Sequence, residues 1–135
     1  MRIAFVTAFP DDPDRPRGGV EAVSVTLVRH ICAFEDLDVH VVTVRDGRQD
    51  AGVRRWEKAT VHALPRRGRR KLTGAMGADR RQVQALVKRL APDVVHAHDT
   101  FGLMVRGIAR PRVLTIHGFI HSDTLVAGEG FARAR

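Results

Sequence analysis

Most of the chemistry this sequence can offer sits in five residues: His96, His98, Asp99, His117 and His121. They form two clusters, one closing the run Val94-Val95-His96-Ala97-His98-Asp99 and one following Thr115-Ile116. Imidazoles at neutral pH exchange protons, orient hydroxyl groups or ligate metals. Residues two apart on a strand share a face, so His96 and His98 can point together. His96 lies inside its apolar run and reads as a packed core histidine. His98 and His117 come directly after theirs, where cleft residues are expected.

A metal site competes with that reading, because His-x-His followed by His117 has the spacing of zinc hydrolases. Two points oppose it. A barrel hydrolase needs far more chain than 135 residues. The metallo-β-lactamase run His-x-His-x-Asp-His is also unmatched, since Asp99 comes one place early and Thr100-Phe101 follow. The expectation is therefore no metal.

A second feature is Gly18-Gly19, which ends a loop rich in Pro and Asp and directly precedes Val20-Glu21. Paired glycines before a helix let backbone N–H groups approach an anion, and the helix start adds partial positive charge. A phosphate or diphosphate suits such a loop. The bland alternative is a tight turn, which two glycines also make. The pattern is neither G-x-G-x-x-G nor a P-loop, since no Lys-Ser/Thr follows the glycines.

These residues need a scaffold, and five short segments read as strands: Ile3 to Ala8, Val39 to Val44, Thr60 to Leu64, Val94 to Ala97 and Val113 to Ile116. Apolar runs without alternation suit strands covered on both faces, as in a parallel sheet. Helical spacing appears between them, over Val20 to Phe34 and Ala78 to Leu90. In the second, Val83, Leu86, Val87 and Leu90 form a stripe and Pro92 supplies a stop. Gly102 to Ala109 and Asp123 to Arg135 are shorter candidates. Strands alternating with helices imply right-handed βαβ crossovers. Arg45 to Gly77 reads as a poorly ordered basic stretch around the weak third strand.

The formal charge is +8, and Arg45 to Lys71 alone carries ten Lys or Arg against three Asp or Glu. That segment is either a solvated loop or a basic patch, with Arg66, Arg67, Arg69, Arg70 and Lys71 facing an anionic membrane or a phosphate-bearing substrate. Nucleic acid is disfavoured, because Trp56 is the sole aromatic in the stretch and base stacking needs more. The single cysteine, Cys32, allows no intrachain disulfide. No apolar run approaches the roughly 20 residues of a membrane span. Ile3 to Phe9 is too short for a signal peptide, so the expected location is cytoplasmic, with peripheral contact at the inner membrane face as an option.

Taken together, Arg2-Ile3-Ala4-Phe5-Val6-Thr7, Gly18-Gly19-Val20-Glu21, Asp38-Val39-His40-Val41-Val42-Thr43, Pro92-Asp93-Val94-Val95-His96-Ala97-His98 and Val113-Leu114-Thr115-Ile116-His117-Gly118 resemble the N-terminal domain of glycosyltransferase family 4. The resemblance implies a Rossmann-like α/β fold, a parallel sheet of about five strands with flanking helices. This would be the N-terminal half of a GT-B architecture, with residues 1–135 a truncated acceptor-side domain. The donor-binding domain, with its Glu-x7-Glu motif, would be absent. It further implies a retaining transfer of a sugar, hexosyltransferase-like, from a nucleotide diphosphate sugar to an unidentified acceptor. No cofactor is needed beyond that donor, and the fragment alone is expected to be inactive. Gly18 and Gly19 would lie at the donor diphosphate, and His117 would orient the transferred sugar without acting as a nucleophile. His98, Asp99 and Glu21 would face the acceptor. The alternative is a stand-alone module that binds an anionic lipid or a protein through its basic segment.

Overall fold

The computed structural model describes residues 1–68 and 71–118. Their backbone forms a six-stranded sheet in the order β3-β4-β2-β1-β5-β6. The strands are β1 (Arg2–Val6), β2 (Asp38–Arg45), β3 (Gly52–Trp56), β4 (Ala59–Pro65), β5 (Val94–His98) and β6 (Arg112–Thr115). All pairings are parallel except that of β3 with β4. The helices are α1 (Gly19–Ile31), α2 (Lys71–Met76), α3 (Ala78–Leu90) and the single turn α4 (Phe101–Met104).

The unbroken apolar runs have a direct cause. Successive side chains of β1 and β2 enter different cores, because helices cover both faces. Phe5, Val39 and Val41 pack with Val25, Val28 and Cys32 of the α1 side. Val6, Val42 and Val44 pack with Val83, Leu86 and Val87 of α3. All of these are at most 6% exposed, so each face forms a true interior.

α3 matches the expected Ala78 to Leu90. Ala91 closes it in a left-handed conformation, φ 47°, and its N–H bonds the Val87 carbonyl before Pro92. Near its start, the Asp79 carboxylate is fully buried. It accepts hydrogen bonds from the Arg67 and Gly68 backbone N–H groups and from Arg66 Nη1. α1 begins one residue before its expected start and stops at Ile31, short of Phe34. The expected helix over Gly102 to Ala109 is reduced to one turn.

The expected α/β sheet is present, and beyond the five expected strands it has a sixth, Gly52–Trp56, which corrects the expectation of a poorly ordered stretch there. Gly52–Trp56 pairs antiparallel with Ala59–Pro65 through a turn at Glu57-Lys58, where Glu57 takes φ 50°. β3 has no apolar strand pattern because it is an edge strand that carries Arg54 and Arg55, the kind of charged sequence that protects sheet edges. β4 itself is largely buried and pairs with β2 from His40 to Arg45. The expected helix at Asp123 to Arg135 lies outside the described residues, as does His121.

Candidate functional site

Chain order reverses direction at β1, which has β2 on one side and β5 on the other. In an open parallel sheet such a switch point leaves a crevice beyond the carboxyl ends of the strands. The loop after β1 and the histidine segments after β5 and β6 converge there. A polar cleft of about 340 Å³ opens at this rim, with Arg17, Glu21, Thr43, Arg45, Arg66 and Phe101 among its walls.

The glycine doublet is the start of α1. Gly18 is the N-cap, in ordinary extended backbone at φ −166°, and its carbonyl accepts the Ala22 N–H. No side chain caps the helix. A Cβ built on Gly18 or Gly19 would meet nothing within 4 Å. Neither glycine uses the left-handed backbone that glycine alone tolerates well. Neither glycine is required by backbone conformation or by a close approach, and the two leave open space at a helix start whose first N–H groups have no partner within the helix.

Glu21 is held rather than free. Its Oε2 accepts the Arg17 backbone N–H at 2.7 Å, and its Oε1 lies 3.3 Å from Arg45 Nη1. Glu21, the third helical residue, thus ties the first turn of α1 to the loop residue just before the N-cap. Arg45, at the end of β2, also donates to the Phe9 carbonyl at 2.9 Å and to Asp11 Oδ2 at 2.7 Å. One guanidinium thus fastens the Pro-Asp loop to both the sheet and α1.

The histidines form a chain from the interior outward. His96 Nε2 lies 2.8 Å from Thr115 Oγ1, and burial together with His117 lowers its pKa. It is half-buried and packs on Phe5, as a core histidine should. His98 is only 1% exposed. The expectation that it faces an acceptor is therefore corrected, because it has almost no accessible surface. Ser24 of α1 and His117, just beyond β6, lie against it. Its Nδ1 stands 3.4 Å from Ser24 Oγ and 3.1 Å from His117 Nε2. Burial, with His96 and His117 beside it, pushes His98 down to about 4, so it is neutral at physiological pH. His117 is exposed and sits outermost.

Asp99 links the two histidine strands. Its backbone is left-handed at φ 48°, its N–H bonds the Thr115 carbonyl, and its Oδ1 accepts the His117 N–H at 2.8 Å. The residue is part-exposed, and one carboxylate oxygen is committed to fixing the backbone of His117.

The basic patch divides. Arg66 is turned inward, its side chain 13% exposed between Asp46 and Asp79, which corrects its assignment as a surface cation. Arg67 Nη2 reaches the Gln49 carbonyl. Arg69 and Arg70 lie outside the described residues, and of Lys71 only the backbone is described. Among the described residues, no group of three or more His, Cys, Asp or Glu is arranged to hold a metal ion, and no helix is long and apolar enough to cross a membrane.

Several residues at this rim lie outside the sequence expectations. Ser24, Thr7 and Thr43 are buried hydroxyls inside apolar segments, and a polar residue interrupting such a run is a usable signal. Arg45 belongs to the basic stretch by composition, yet it ends an apolar parallel strand at this rim.

No curated protein matches the chain significantly. Among solved structures, the chain is similar to one described as trehalose-6-phosphate from E. coli bound with UDP-2-fluoro glucose, at 13% identity and a TM-score of 0.48. That alignment covers 96% of this chain and 38% of the other, so the chain spans well under half the length of that protein. The family described as Glycosyltransferase Family 4 matches residues 17–134, nearly the whole chain. The glycine-headed helix and the two histidine-ended strands all lie within that span, and the chain belongs to Glycosyltransferase Family 4.

Proposed function

We propose that the full-length protein transfers a sugar from a nucleotide diphosphate sugar to an acceptor, with retention at the anomeric carbon, and that residues 1–135 supply the acceptor-side wall of the cleft. The observation that carries this reading is the open, uncapped start of α1 at Gly18-Gly19, on the same rim as His117. A helix start carries roughly half a positive charge. A departing diphosphate gains negative charge in the transition state, so fixed N–H donors stabilise that state more than the ground state. His117 orients a hydroxyl of the transferred sugar. Glu21 and Asp99 shape the acceptor side chiefly by holding Arg45, the loop and the His117 backbone in place.

The reading involves no cofactor beyond the donor, a cytoplasmic location, and little turnover by these 135 residues alone. Calorimetry of the full-length protein with uridine and guanosine diphosphate sugars is the direct test, followed by NMR of the product anomer. Micromolar binding of one donor and retained configuration are expected. Absence of binding to any nucleotide sugar, or an inverted product, overturns the proposal.

A further inference from the structure

Thr7, Ser24 and His98 form a buried polar string inside otherwise apolar packing, each 1% exposed. Thr7 Oγ1 and Ser24 Oγ are 2.7 Å apart, and Ser24 Oγ is 3.4 Å from His98 Nδ1. The same Nδ1 is 3.1 Å from Nε2 of the exposed His117. The other nitrogen of His98, Nε2, is buried and has no partner among the described residues.

Only two neutral arrangements fit. In one, His117 carries its proton on Nε2 and donates to His98. The His98 proton then sits on Nε2, a buried donor with no acceptor. In addition, the single lone pair of Nδ1 must serve His117 while leaving Ser24 as a second competing donor. In the other, His98 carries its proton on Nδ1 and shares it between His117 Nε2 and Ser24 Oγ, while the Ser24 hydroxyl donates to Thr7. The unpartnered atom is then an acceptor. Both arrangements leave His98 Nε2 unpaired, but the first strands an N–H donor and the second only an acceptor. The second arrangement also uses the Ser24 contact as a hydrogen bond, so it is favoured.

We propose that Ser24 is a positioning residue that, through His98, holds His117 in the Nδ1–H tautomer and so presents a hydrogen-bond donor on the nitrogen that His98 does not occupy. Thr7 orients the Ser24 hydroxyl so that its oxygen lone pair faces His98. Asp99 fixes the His117 backbone, and Ser24 with His98 fixes its ring. A ligand at His117 therefore meets it through an oxygen that accepts. That consequence rests on the glycosyltransferase reading above, whereas the tautomer does not.

The tautomer is also diagnostic, because a free histidine side chain in water prefers Nε2–H. The test is long-range ¹H–¹⁵N NMR of the protein labelled with ¹⁵N at histidine, at pH 7.5. His98 and His117 are both expected with Nδ1 protonated and Nε2 bare. His98→Phe should return His117 to the Nε2–H form. Ser24→Ala should lower the Nδ1–H to Nε2–H ratio at His117 by roughly fivefold, the effect of one neutral hydrogen bond. Ser24→Thr should restore the wild-type pattern. Ser24→Cys, isosteric but a poor acceptor, gives the same readout if the alanine variant does not fold. Wild-type His117 protonated on Nε2 overturns the proposal. A ratio unchanged in both the alanine and cysteine variants overturns the role of Ser24. Failed sugar transfer alongside the expected spectra strikes only the functional reading.

Discussion

Arg45 Nη1 stands 3.3 Å from Glu21 Oε1, and both side chains are 15% exposed. This contact joins the end of a central strand to the first turn of the helix headed by the glycine doublet. The same guanidinium holds the Phe9 carbonyl and Asp11. Replacing Arg45 with Ala leaves Glu21 part-buried without its cation and releases the loop. The expected loss is on the order of 2 kcal/mol, read by urea unfolding, with faster proteolysis between Pro10 and Arg17. Unchanged protease sensitivity would show that the loop is held by other contacts.

Gly19→Val should separate binding from folding. The added side chain meets no protein atom within 4 Å, so the melting temperature should stay within a few degrees of wild type. On the diphosphate reading, the same side chain crowds an anion seated at the helix start. Donor affinity in the full-length protein should fall at least tenfold. A variant that binds a nucleotide sugar normally removes the diphosphate from this helix start.

Asp79 should be among the most sensitive positions in the chain. It is fully buried and satisfies two backbone N–H groups as well as the Arg66 guanidinium. Asp79→Ala leaves those backbone donors unpaired and Arg66 with Asp46 alone, and should cost about 3 kcal/mol. Urea unfolding measures this, and a loss below about 1 kcal/mol would mean that water replaces the carboxylate easily.

Stability should decline on acidification well before carboxylates titrate. His98 has a pKa of about 4 when folded against 6.5 ordinarily. Between these values the unfolded chain binds more protons, so stability rises with pH. It is complete above about 6.5 and is lost as pH falls toward 4. His98 alone contributes on the order of 3 kcal/mol across that window. His96 and His62, also lowered chiefly by burial, act in the same direction. Urea midpoints between pH 7.5 and 4.5 check this. His98→Phe should flatten the slope, and a flat wild-type profile would mean that the imidazole hydrates on acidification without unfolding the sheet.

Much of the scaffold was readable in advance. The five parallel strands follow from short Val-rich runs that only a doubly covered sheet can bury. α3 follows from its apolar stripe, its acidic start and Pro92. The antiparallel β3 was hidden, since an edge strand bearing Arg54 and Arg55 has the composition of a loop and gains its pairing only from β4. At the site, Gly18-Gly19 and the two strand-end histidines were visible as residue types. Ser24 and Arg45 were not, because their importance lies in partners 74 and 24 residues away.

The amino-acid sequence by itself determined the α/β class, the positions of most elements and the family, because hydrophobic periodicity and short motifs are local properties. Only the tertiary structure decided which histidine is exposed. His98 and His117 both follow apolar runs, yet the first is buried beside Ser24 of α1 and the second stays exposed. Exposure at a strand end depends on what packs beside it, and those neighbours are distant in sequence.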